Sequence, residues 1–222
     1  MLSLLTLRLI TLFLVLLGIS ASVGAQPSEG PYTVTVWSRV LFGQDGRPTE
    51  ISIVDRQNYP EKFLENVQVR IARATIPPPT MDGAPTTLRS GVEMRFEVTP
   101  NKEGGTVRFT GVSMGPMPVK TYFASYPDDI ARTGGWSGDA TGVCQVGTNG
   151  RCTSVQVLAL PGMPESVRRY MRASLEMWEF EPQQLGDRAI TGEYSLRVMF
   201  KTPDDVPENF REDKFLRILR GR

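Results

Sequence analysis

The sequence predicts an α+β protein made of two tandem β-β-α-β units, each a small antiparallel sheet with one helix on a face. Two observations carry that expectation: one pattern is written twice along the chain, and each copy runs through the same order of local signals. Gly43-Gln44-Asp45-Gly46-Arg47 returns as Gly147-Thr148-Asn149-Gly150-Arg151, 104 positions later. The same displacement carries Ile51 and Ile53 onto Val155 and Val157, Pro60 onto Pro164, Ile71 onto Leu175 and Ile76 onto Phe180 without a gap. Val92, Met94 and Phe96 fall on Leu196, Val198 and Phe200. A chance match would drift out of register, so the copies are read as 32–100 and 136–204.

Each copy opens with alternating apolar residues, Val34, Val36, Val40 and Phe42 in the first, which enter an Asp-Gly or Asn-Gly turn and leave through Ile51 and Ile53. That is the signature of a hairpin. Pro60 and Pro164 stand where proline suits a helix start, and Phe63, Val67 and Ile71, or Val167, Met171 and Leu175, follow at a spacing of four. Prolines at 77–79 and at 182 end each helix, and the alternation at 92–96 and 196–200 supplies a third strand. Residues 101–135 read as a Gly/Pro-rich linker with one short strand at Thr106-Val107-Arg108-Phe109. After the second copy, 205–222 reads as a helix with Phe210, Leu216 and Leu219 on one face and Arg217, Arg220 and Arg222 on the other.

Residues 1–25 hold one charge, Arg8, an apolar stretch from Leu9 to Leu17, and small residues from Ala21 to Ala25 that suit a signal peptidase. The leading expectation is a removable signal peptide and a periplasmic mature chain starting near Gln26. The alternative is an uncleaved anchor facing the periplasm from the inner membrane, because Leu9 to Ser28 carries no charge over a length that just spans a bilayer. Membrane contact is expected only in that second case. Without Arg8 the chain has equal numbers of basic and acidic residues, so no global field draws it to nucleic acid.

The chain contains no histidine, which removes the usual general base, the usual zinc ligand and every Ser-His or Cys-His pair. Met114 and Met117 have a spacing open to soft-metal binding but no further clustered ligand, and Asp128-Asp129 and Asp204-Asp205 belong to no calcium loop. The expectation is a non-enzymatic protein with no cofactor and no metal; an enzyme with a serine, lysine or carboxylate site is the competing class.

The second copy contains Tyr126-Pro127, Ile130-Ala131-Arg132, Gly142 to Val146, Asn149-Gly150-Arg151 and Trp178-Glu179-Phe180-Glu181-Pro182 in succession. That ordered set, over 126–200, resembles the C-terminal periplasmic domain of the TonB energy-transducer family, whose structural signature would here be Trp178, Phe180 and Pro182. The first copy follows the pattern more loosely, with Ala74 where the second has Trp178. The resemblance implies a domain that docks on an outer-membrane TonB-dependent receptor by pairing its last strand with an extended segment of that partner protein. The family's energised members carry an anchor bearing a histidine and a long Pro-rich spacer, whereas residues 26–33 are the whole spacer here. A soluble relative used for recognition is therefore expected, with a membrane-anchored transducer as the alternative.

On that reading the recognition edge is Gly192 to Phe200, with Tyr194, Ser195, Leu196, Arg197 and Val198 at its centre and Tyr126 and Pro127 as the next partner contacts. Cys144 and Cys152 flank the second hairpin turn at positions that are apolar in the resembling family, and exported thiols generally oxidise. A structural disulfide is expected there, worth on the order of 2–3 kcal/mol for so short a loop.

Overall fold

The structure is a computed structural model and describes residues 31–100, 105–132 and 134–202. The signal or anchor segment at 1–25 and the tail helix at 205–222 lie outside the described residues. In chain order the elements are β1 Tyr32–Phe42, β2 Pro48–Ile53, α1 Glu61–Ala72, β3 Thr80–Met81, β4 Ala84–Pro85, β5 Leu88–Thr99, β6 Thr106–Gly115 and β7 Met117–Lys120. The second half continues with β8 Gly138–Val146, β9 Cys152–Val157, α2 Glu165–Met177, β10 Glu179–Glu181, β11 Gln183–Leu185, β12 Arg188–Ile190 and β13 Gly192–Phe200.

These elements correct the expected architecture. The chain is mostly β, with two α-helices among the described residues and four sheets rather than two plain β-β-α-β units. The largest sheet has six strands in the order β12-β11-β5-β1-β2, with β6 also paired to β5. A three-stranded sheet runs β13-β8-β9, and β10-β7 and β3-β4 form two-stranded ladders. The reason lies in the range of the pairings. Residues 117–120 join residues 179–181, and Gln184 and Leu185 join Arg89 and Leu88, so short segments with weak local signals become strands only through remote partners. The segment read as a linker holds β6 over ten residues and β7 over four, and the Gly115 to Pro118 stretch is the step between them.

Backbone geometry nevertheless repeats at the displacement seen in the sequence. Gly43 donates to the Arg47 carbonyl at 2.8 Å and Gly147 to the Arg151 carbonyl at 2.9 Å. Asp45 Oδ1 accepts from the Arg47 amide at 3.0 Å, and Asn149 Oδ1 from the Arg151 amide at 3.1 Å. Thr49 and Thr153 each cap a carbonyl across their hairpin, that of Leu41 and that of Gln145. Each helix is then followed by a strap over the turn: Ile76 donates to the Gly46 carbonyl at 3.0 Å, and Phe180 to the Gly150 carbonyl at 2.8 Å.

Helix burial follows the apolar spacing. In α1, Leu64, Val67 and Ile71 face Val36, Val40, Val92 and Met94 of the large sheet. In α2, Val167 and Met171 pack with Ile130 and Phe200, while Leu175 joins Cys144, Trp178 and Phe180. The other face of β1 receives the second half of the chain, with Trp37 6.1 Å from Tyr194 and Arg39 Nε donating to Glu181 at 2.6 Å, and at the edge of β5 Gln183 Nε2 donates to the buried Ser90 hydroxyl at 2.9 Å.

The strap makes one position in each turn intolerant of a side chain. Gly46 and Gly150 have φ of 75° and 73°, and a Cβ there would stand 2.0 Å from the Ile76 carbonyl oxygen and 2.2 Å from that of Phe180. Gly150→Ala is expected to cost more than the roughly 1–3 kcal/mol of backbone strain alone, because the strap must also lift. Urea unfolding of the variant against the parent measures it.

Candidate recognition edge

The strand singled out by sequence is built on an alternation that the structure follows. Tyr194, Leu196 and Val198 are half-buried toward α2, and Glu193, Ser195, Arg197 and Met199 are exposed. β13 pairs with β8 in full register, from Gly192 opposite Val146 to Phe200 opposite Gly138. Among the described strands, β8 is its sole ladder partner. Arg197 is engaged on the exposed face by the Asp139 carboxylate of β8.

Tyr194 has a different surrounding from Ser195 to Val198. Its ring lies 5.1 Å from Phe180, 5.7 Å from Trp178 and 6.1 Å from Trp37, so it is a wedge between the two halves of the chain. Burial, with the Glu93 carboxylate nearby, pushes its hydroxyl well above the ordinary tyrosine range. At that end of the strand Gly115 also approaches the Glu193 carbonyl, so the open part of the edge begins after Tyr194.

Tyr126 and Pro127 are brought to the far end of the same strand. The Tyr126 hydroxyl donates to the Lys201 carbonyl at 3.3 Å, its ring stacks 5.7 Å from Phe200, and Pro127 accepts from Ile130 and Ala131 to close a turn. Trp178 and Phe180 are buried and hold the strap to the hairpin, while Pro182 separates β10 from β11. The indole Nε1 donates to the Tyr122 carbonyl at 2.7 Å. Sequence reasoning missed the segment that accepts it: Tyr122 to Tyr126 lies along α2, with the Ala124 amide donating to the buried Ser174 hydroxyl at 3.0 Å and Phe123 stacked 6.4 Å from Tyr170. The aromatic run Tyr122-Phe123-Ala124-Ser125-Tyr126 was the available signal.

Cys144 and Cys152 form the disulfide, with Cα atoms 5.6 Å apart across the β8-β9 hairpin. Cys144 is wholly buried beside Leu175 and Trp178, so the crosslink fixes the turn on which the Phe180 strap rests. Beside it Glu179 receives Lys120 at 3.0 Å and Arg151 at 2.8 Å, and these cations, the Lys120 hydrogen bond foremost, hold its carboxyl below the ordinary range. No group of His, Cys, Asp or Glu among the described residues is arranged to hold a metal ion, and no described helix is long and apolar enough to cross a membrane. A scan against protein-family models finds no match for the chain, and no curated protein matches it.

Two outcomes are expected. Reduction of Cys144–Cys152 should lower the unfolding free energy by about 2–3 kcal/mol, read from urea denaturation with and without reductant. For Tyr194, a folded-state pKa above the unfolded one means that its contribution is complete below pH of about 10 and is lost as the pH rises beyond it. The melting temperature should therefore fall less steeply above that pH in Tyr194→Phe than in the parent.

Proposed function

We propose that this is a non-enzymatic periplasmic recognition protein of TonB type, which captures an extended segment of a partner protein by adding it as a strand to β13. The partner class is an outer-membrane TonB-dependent receptor. One observation supports the reading above others: the repeat contains its own example of the added strand. In the first copy the edge of β5 carries β6 antiparallel, from Gly91 opposite Gly115 to Thr99 opposite Thr106. A displacement of 104 takes that stretch of β5 to residue 195 onward, the part of β13 that has β8 on one edge and no second ladder partner on the other among the described strands.

The chemistry suits the task. An unpaired strand edge presents alternating N–H and C=O groups that an extended peptide satisfies, and such an edge is otherwise a hazard for aggregation. Leu196 and Val198 stand where Val92 and Met94 stand on β5, opposite Met114 and Val112 of β6. A partner with apolar residues at alternate positions would continue the α2 face in the same way. The disulfide fits an oxidising compartment.

In an antiparallel strand, neighbouring residues turn their N–H groups to opposite sides. Of Leu196→Pro and Arg197→Pro, one therefore removes a bond to β8 and destabilises the sheet, and the other removes an outward donor and leaves the fold intact. The folded variant should lose retention of the outer-membrane receptor from a periplasmic and envelope extract, while the parent retains it. Unchanged retention by that folded variant overturns the reading.

A further inference from the structure

The first copy has a cavity of about 680 Å³ between the C-terminal half of α1 and β6. Its floor is the buried core of the large sheet, Val92 and Met94, and its β6 wall is Phe109, Val112 and Met114, which stay exposed. The helix wall is Asn66, Arg70, Arg73 and Ala74. No carboxylate lines the cavity, and neither Arg70 nor Arg73 makes an ion pair among the described residues. Arg70 is instead held over the Phe109 ring at 5.1 Å, at the mouth of the apolar floor.

The second copy shows what lies against the same helix face. A displacement of 104 carries Asn66, Arg70 and Ala74 onto Tyr170, Ser174 and Trp178. Each of these three touches the extended segment Tyr122 to Tyr126: Tyr170 through Phe123, Ser174 through the Ala124 amide, and Trp178 through the Tyr122 carbonyl. In the first copy the indole is reduced to a methyl group and the covering segment has no counterpart in the described residues, which opens the cavity. The polarity is also inverted. Ser174 accepts from a backbone N–H, whereas Arg70 has donors only, so whatever lies against it must supply an acceptor.

We propose that this cavity is a second docking site, whose occupant is an extended peptide of a partner protein bearing an aromatic side chain with a carboxylate next to it. The aromatic group fills the space that Trp178 occupies in the other copy, and the carboxylate meets Arg70 and Arg73. An arginine pair beside an apolar wall favours a carboxylate through charge-assisted hydrogen bonds. The site does not depend on β13 being a recognition edge.

The probe is a capped peptide of residues 121–127 carrying Ala124→Asp, titrated into the full chain by calorimetry, with the Ala124→Asn peptide as the neutral control. Saturable binding is expected, weakened about tenfold or more, which is 1.4 kcal/mol at tenfold, by the neutral control or by Arg70→Ala. Ala74→Trp fills the cavity and should abolish binding. Should that variant not fold, the pair Arg70→Glu and Arg73→Glu, both on the exposed helix face, should reject the Ala124→Asp peptide and take the Ala124→Lys peptide in its place. The proposal is overturned if no peptide binds the parent, if Ala74→Trp folds and binds as the parent does, or if the charge-reversed chain keeps the parent's preference. It is equally overturned if dodecanoate binds in place of the peptide in a manner that Ala74→Trp abolishes, or if that substitution instead dissociates a dimer of the chain.

Discussion

Each half of this molecule turns on one short contact, in which the residue two places after Ala74 or Trp178 donates its amide to the carbonyl of a turn glycine. Ile76 does so onto Gly46 and Phe180 onto Gly150. A hairpin turn usually projects into solvent; here it is covered by the chain that leaves the helix, so the helix end, the strap and the turn are fixed against one another. Only glycine leaves room for the overlying carbonyl at that point. The disulfide tightens the same turn in the second half, and Arg151 and Lys120 converge on Glu179 beside the strap. The position of the Trp178 indole, and through it of Tyr194 and of the segment at 122–126, follows from that anchorage.

The two halves are incomplete in complementary ways. Among the described residues, the first has its outer strand edge covered by β6 and nothing over its helix flank, and the second has its helix flank covered by Tyr122 to Tyr126 and no strand on the outer edge of β13. Three of the substitutions that separate them bear on this difference. Ala74 against Trp178 and Arg70 against Ser174 change the helix flank, and Ser90 against Tyr194 changes what the strand presents to the other half. Tyr194 then locks the halves together through Trp37.

The features legible in the sequence are those whose cause is local. The Asp-Gly and Asn-Gly turns, the two helices with apolar residues every fourth position, and the alternation of 92–96 and 196–200 each carry their own signal over a few residues. What escaped is what depends on distant pairing. β7, β10, β11 and β12 are three or four residues long, so neither length nor β-propensity marks them, and of β6 only the start at Thr106 to Phe109 was legible, because Gly111, Ser113 and Gly115 weaken the signal of the rest. Alternation placed Tyr194 on the same face as Leu196 and Val198 but carried no information about what covers that face. The cysteine pair stood out because two thiols flanked one turn, and the extended segment at 122–126 did not because aromatic residues near prolines are as common in loops.

The largest sheet is closed by strands that come from the other end of the chain, with Gln184 and Leu185 paired to Arg89 and Leu88. Sequence-distant ladders of this kind are slow to form, since a long loop must close before any bond is gained. In a chain threaded through a membrane from its N-terminus, β1, β2 and β5 would arrive well before the β11-β12 hairpin that completes their sheet. During that interval the near end of β5 is an open strand edge, and the face bearing Trp37 and Arg39 has nothing over it. On such a route the first half would complete its sheet only once residues past 180 had emerged, however early its own strands arrived.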